Sequence, residues 1–169
     1  AEDAYKIAHN GKSEFLMGKT ALRLGVVYQN ISNYKKATEN YKEGVKLAEH
    51  LNNKKLLAQG YNCLGNLFGL QKQLSQASEY FNKALVISKE INDVRKVAVI
   101  LSNLANIEYS KAYVSNDYTI CNLVYKEALE WAILAKDTGQ IISIVGNWGM
   151  AYSDEEKFDL SIEKLNYAI

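Results

Sequence analysis

A period of forty residues constrains this chain more than any other feature. Leu24-Gly25 returns forty residues later as Leu64-Gly65, after another forty as Leu104-Ala105, and forty-four further on as Trp148-Gly149. An aromatic stands three residues past the glycine in three of the four units, as Tyr28, Phe68 and Tyr152; the third unit has Glu108 there and Tyr109 one later. A second set repeats downstream. Ala37, Tyr41 and Gly44 match Ala77, Phe81 and Ala84, then Cys121, Tyr125 and Ala128, and more loosely Ser161, Leu165 and Ala168. A period of this length marks an architecture in which one supersecondary unit stacks on the next, because a single unit cannot bury its apolar face alone.

Each half-unit has helical spacing. Ala37, Tyr41, Gly44, Leu47 and Leu51 form one stripe of a 3.6-residue period. Asn52-Asn53, Asn92-Asp93 and Asp137-Thr138 suit the end of one helix and the cap of the next. The absence of proline permits an almost wholly helical chain. The pattern predicts a trailing helix over 1–10, where Ala4 and Ile7 fit the register, and helix pairs over about 14–51, 54–91, 94–135 and 138–169. Gly25, Gly65, Ala105 and Gly149 are expected to let the two helices of a pair lie close. Leu64, Phe68, Ala77, Phe81, Ala84, Tyr28, Tyr41 and Trp148 are expected in the core. The third unit is four residues longer between Ala105 and Cys121. About one helical turn is added, either as a longer helix or as a longer joint around 111–117, with Tyr109, Tyr113 and Tyr118 near one rim. The chain opens near the end of a second helix and stops just past Ala168, with no polar capping helix. It reads as a piece of a larger protein.

The run "CLGNLF…QASEYFNKAL" (63–85) resembles the tetratricopeptide repeat family: a Leu-Gly pair, an aromatic, then Ala, aromatic and Ala. The resemblance covers nearly the whole chain. The family's usual unit is 34 residues. Forty is similar to its long-helix members, the Leu-Gly-Asn spindle-orienting proteins, kinesin light chains and bacterial quorum-sensing regulators. The resemblance implies an all-α fold, an α-solenoid of antiparallel helix pairs in a right-handed superhelix. The usual proline at the unit end is missing, and the family's Trp position holds Ala21, Tyr61, Leu101 and Val145. A HEAT-type array shares the period but not this register of Gly and Ala.

Little in the sequence points to chemistry. His9 and His50 lie late in second helices and read as solvated. No metal-ligand spacing occurs, so no metal or cofactor is expected. Cys121 stands where other units place Ala37 and Ala77, as a small packing residue. Cys63 has no candidate base in its unit. The glycines of "CLGNLFGL" lack the ending of a phosphate loop. "SDEEKF" (153–158) reads as an acidic joint between helices. The chain is expected not to be an enzyme. A net charge of +1 in 169 residues argues against a nucleic-acid partner, and no apolar run is long enough for membrane insertion. Two cysteines are too few for a disulfide framework and fit a cytoplasmic setting.

In the resembling family the first helix of each pair lines a concave face. That implies a wall made of Leu22, Arg23 and Val26; Asn62, Cys63 and Asn66; Ser102, Asn103 and Asn106; and Gly146, Asn147 and Met150. The candidate groove residues are Arg23, Asn62, Asn66, Asn103, Asn106, Asn147 and Met150. Asn is a poor helix residue, and each amide offers donors and an acceptor, which suits an extended peptide backbone. In the resembling families such asparagines grip one. A clamp for a C-terminal carboxylate needs cations beside the asparagines, but those positions hold Asn62, Ser143 and Asn147. Arg23 is the one cation in the set, so binding is expected to respond little to salt. The expected function is a protein-interaction module for an extended peptide or partner helix. The alternative is a sensory or regulatory domain of a larger signalling protein or transcriptional regulator, a bacterial one among them.

Overall fold

The structure, a computed structural model, describes residues 13–167. The helix expected over 1–10, with Ala4, Ile7 and His9, lies outside the described residues, as do Ala168 and Ile169. Eight α-helices and no strands occur among the described residues: α1 Glu14–Asn30, α2 Tyr34–His50, α3 Lys54–Leu70, α4 Leu74–Glu90, α5 Val94–Ser115, α6 Thr119–Leu134, α7 Thr138–Asp154 and α8 Phe158–Tyr167. They fall within the four expected pairs.

Short polar side chains start the helices. Asn53 Oδ1 accepts from the Leu56 N–H at 2.9 Å, Asp93 Oδ1 from Lys96 at 3.1 Å and Asp137 Oδ1 from Gln140 at 3.2 Å. Each such cap contributes about 1 kcal/mol. Ser13 and Asn33 act likewise on α1 and α2. The helix ends follow a rule the sequence did not announce. Ser32, Asn52, Lys72, Asn92, Asn116, Lys136 and Glu156 all have φ between 50° and 62°. They recur every twenty residues, with one step of twenty-four at the insertion. One left-handed residue turns the chain. Beside it the next N–H reaches back five residues, as from Asn53 to the Ala48 carbonyl at 2.9 Å and from Gln73 to Phe68 at 2.9 Å, closing the helix in a Schellman arrangement. No described glycine has a positive φ. The glycines therefore serve packing and not turning.

The chain divides into two compact units, residues 1–91, which contain α1–α4, and residues 92–169, which contain α5–α8. In the first unit α1 packs on α2, α2 on α3 and α3 on α4. There α1 also meets α3, while α2 and α4 do not meet among the described residues. The second unit repeats this, with α5 against α7 and no contact between α6 and α8. Within each unit the odd-numbered helices thus crowd together and form the inner side.

Glycine sets the closeness inside a pair. A Cβ placed on Gly25 would lie 2.4 Å from the Tyr41 ring, and one on Gly65 would lie 2.7 Å from the Phe81 ring. Leu22, Ala37, Tyr41, Val45, Ala48, Leu56, Leu64 and Leu67 make the core of the first unit. Leu64, Ala77, Phe81, Ala84, Tyr41 and Trp148 are buried as expected. Tyr28 and Phe68 are not; both are half-buried against the core's edge. The position three past the glycine faces the rim, and Leu67 fills the core slot beside it. The Phe68 ring stacks on Tyr80 with centroids 5.3 Å apart, and Lys36 Nζ lies 5.1 Å from the Tyr28 centroid.

The four extra residues of the third unit lengthen the helix. α5 has 22 residues against 17 in α3, five more, and α6 has 16 against 17 in α4, one fewer. The joint after it, 116–118, is as short as the one at 71–73. Tyr109 and Tyr118 come together with ring centroids 6.5 Å apart, while Tyr113 stands out at 68% exposure.

Two stability measurements check this packing. In denaturant unfolding Leu64→Ala should cost about 2–5 kcal/mol, and Gly65→Leu at least about 1–3 kcal/mol through collision with Phe81. Lys136→Gly should raise stability by about 0.5–1 kcal/mol, because glycine accepts the left-handed conformation without a Cβ clash.

Candidate functional site

Helix α5 carries Asn103 and Asn106 on the turns around Ala105, and α7 carries Asn147 and Met150 around Trp148. Because α5 and α7 touch, Asn147 Nδ2 donates to Asn106 Oδ1 at 3.1 Å. The same oxygen accepts the Tyr125 hydroxyl at 2.7 Å. Tyr125 is wholly buried, and burial, with Cys121 and Tyr109 nearby, raises its pKa. Its hydroxyl stays protonated and must donate. Asn106 is therefore a fold residue as much as a wall residue. Its carbonyl has both lone pairs used, which fixes the amide's orientation. Trp148 closes the cluster: its Nε1 donates to Asn122 Oδ1 at 2.8 Å, and its ring stacks on Tyr125 and Tyr152. Tyr109 donates to the Asp154 carboxylate and Asn122 Nδ2 to Glu155 at 3.0 Å, tying the lengthened α5 and the start of α6 to the end of α7.

In the first unit the core tyrosine finds a different amide, Tyr41 donating to Gln29 Oε1 at 2.9 Å. Arg23 is exposed; Asn62 and Asn66 are half-buried. Asn62, like Asn103 in the second unit, already interacts with a neighbour. Met150 is 50% exposed. The structure brings Asn106 and Asn147 together.

Two expected wall residues belong elsewhere. Leu22 is 1% exposed and Ser102 5%. Leu22 fills the seam left by two glycines: its Cδ2 would lie 2.4 Å from a Cβ on Gly44 and 3.5 Å from one on Gly60. In the row two residues before each Leu-Gly pair, Leu22 and Ser102 are thus buried, while Asn62 is half-buried and a Cβ on Gly146 would meet nothing within 4 Å. Cys63 is half-buried and packs on the core. Cys121 is fully buried, donates to the Tyr118 carbonyl at 3.2 Å, and has its thiol pushed up to about 11, chiefly by burial and then by Glu155.

The wall of the first unit is also more cationic than expected. Phe15 and Lys19 of α1 face Lys55, Leu56 and Gln59 of α3 across a depression of about 440 Å³, with Asn53 at its end. Arg23 lies one turn beyond Lys19 on the same helix face. The expectation of weak salt dependence counted Arg23 alone, and Lys19 and Lys55 add two cations beside this depression. Phe15-Lys19-Arg23 at steps of four, and Lys55-Gln59 at the same step, carried the signal in the sequence. Phe15 and Lys19, like Lys55 and Gln59, lie nine and five residues before the Leu-Gly pair of their helix.

Among the described residues no three His, Cys, Asp or Glu side chains converge as a metal site, and no helix is long and apolar enough to cross a membrane.

No protein-family model matches the sequence, and no curated protein matches it. Solved structures do match. BtubC (BKLC) from P. vanneervenii superposes with a TM-score of 0.82 at 25% identity, over 99% of this chain and 67% of that one. A putative kinesin light chain with nearly identical TPR-like repeats, from Podospora anserina, gives 0.73 at 15% identity, over 99% and 81%. The apo form of RapI gives 0.65 at 16% identity, over 98% and 57%. The fold is that of the tetratricopeptide repeat.

The Asn106 arrangement predicts an asymmetric response. Asn106→Ala should cost about 1–3 kcal/mol, because it leaves a buried hydroxyl without an acceptor. Adding Tyr125→Phe should recover part of that loss, and a double-mutant cycle in denaturant reads the coupling. In a thiol titration of the native protein at pH 8, Cys63 should react first. Cys121, with its raised pKa and no exposure, should stay unreactive until denaturant is added.

Proposed function

We propose that this chain is a protein-interaction module that holds an extended peptide along the inner helices of its repeats. The observation that carries the reading is the Asn106–Asn147 pair. With Asn106 Oδ1 engaged twice and Asn147 Nδ2 donating to it, the groups left to a ligand are Asn106 Nδ2 and Asn147 Oδ1. One donates and the other accepts, as the C=O and N–H of an extended peptide require. A buried tyrosine holds the pair in place, so little ordering cost remains at binding. The tetratricopeptide-type fold supports a scaffold of this kind, and the repeat register in the sequence supports reading 1–169 as one array.

The test is a pull-down with the purified chain, peptide mapping of what it captures, and titration of the mapped peptide. Asn147→Ala should weaken binding by about 0.5–1.5 kcal/mol with little change in the thermal melt, since Tyr125 still occupies Asn106 Oδ1. Unchanged affinity would move the partner to another face. Replacing the peptide's side chains at the mapped contact should matter less than N-methylating its backbone there.

A further inference from the structure

We propose that the depression between α1 and α3 seats a carboxylate side chain of the bound peptide next to an apolar one, so that the partner segment is acidic and apolar. This rests on the reading of the inner wall as a peptide site. Gly18 lies against Leu56, with 3.0 Å from a Cβ there to Leu56 Cδ2, so α1 and α3 approach closely and Leu56 forms an apolar floor. Lys19 and Lys55 stand on opposite banks, both exposed. Neither pairs with a carboxylate of the described residues. Other described cations do, among them Lys54 with Glu90, Lys83 with Glu79, Lys111 with Glu108 and Arg95 with Asp137.

The positive excess of the unit lies mainly on its inner helices. Helices α1 and α3 contain Lys19, Arg23, Lys54 and Lys55 against a single carboxylate, Glu14. That one is turned to His50 at 2.9 Å. Helices α2 and α4 hold Glu39, Glu43, Glu49, Glu79 and Glu90 beside Lys35, Lys36, Lys42, Lys46, Lys83 and Lys89, so the two signs nearly cancel there. Among the described residues the inner side therefore presents two ammonium groups, with Arg23 one turn on and Glu14 turned away to His50. A carboxylate between the two banks gains two charge-assisted contacts, and a basic residue is repelled. The apolar half is Phe15, 45% exposed, whose ring already carries Lys19 Nζ at 5.4 Å from its centroid. An apolar side chain one or two residues from the acid would cover it. Beyond this point the wall changes to amides, with Asn62 and Asn66 on α3, suited to backbone and not to charge.

The experiment uses the chain as it stands and a positional-scanning library of fluorescein-labelled decapeptides, read by anisotropy at about 50 mM and about 300 mM salt. Mixtures with a fixed Asp or Glu should bind about tenfold tighter than those with fixed Asn, Gln or Lys, and the gap should narrow at the higher salt. Lys19→Gln with Lys55→Gln should erase the preference, and Lys19→Glu with Lys55→Glu should invert it towards Lys. Thermal melts should stay unchanged, because both side chains are exposed. Equal binding of acidic and amide mixtures would overturn the proposal, and so would a preference that survives in the double Gln variant. Tighter binding of a labelled oligo-dT that depends on the same lysines would overturn it in favour of a nucleic-acid site. Peptide binding without acidic preference, yet weakened by Asn147→Ala, would remove this inference and leave the proposed function. Binding of no mixture at all would remove both.

Discussion

An aromatic ring lies on a bare backbone where Gly25 meets Tyr41 and where Gly65 meets Phe81, and the rest of each pair depends on that contact. It sets how near the two helices come, and so which neighbouring side chains can reach across. It also sets a polar problem. A phenylalanine asks for nothing more, but a tyrosine carries a hydroxyl into the interior, where an unpaired donor is costly. Tyr41 resolves this with Gln29, and Tyr125 with Asn106. In the second case the solution reaches the inner wall. A core residue thereby decides how a surface amide is oriented, and packing and recognition share one atom.

The core was largely readable from the chain because burial follows the helical period and small residues recur where backbones approach. Leu64, Ala77, Tyr41 and Phe81 fall where period and size both point. Tyr28 and Phe68 were misjudged because an aromatic at the edge of a stripe serves the core and the rim equally well, and its exposure depends on the joint beside it. The wall was less readable. Leu22 and Ser102 sit in a row whose direction depends on how closely successive inner helices pack, a distance set by Gly18, Gly44 and Gly60 acting together. Asn106 could be placed on the wall but not bonded to Tyr125, since the extra turn of α5 changes which residues face each other. Lys19 and Lys55 needed no structure to be noticed, only attention to the opening turns of the helices. That they share one depression is a tertiary fact.

The inner surfaces divide into two chemistries. In the first unit cations and an exposed phenylalanine lead into half-buried amides. In the second, amides stand beside an exposed methionine, backed by a stacked Tyr-Trp-Tyr cluster. The inner helices there carry Arg95, Lys96 and Lys111 with Glu108 and Asp154, a closer balance of signs, and Asp154 and Glu155 are taken up by Tyr109, Asn122 and Lys157.

The joints carry a further implication for how such a chain can change length. Each described turn after a helix is the same device, one left-handed residue followed by the start of the next helix, and it recurs on a twenty-residue beat. A device this short has no slack. One residue added within a helix rotates everything after it by about 100° and would carry the stripe off its partner. Four residues nearly complete a turn and restore the phase. The longer α5 took that step, and its joint still turns on one left-handed residue, Asn116, here placed directly after the helix. Variation in length along a stack of this kind is therefore quantised, permitted in whole turns and refused in between, much as a thread accepts only nuts of its own pitch.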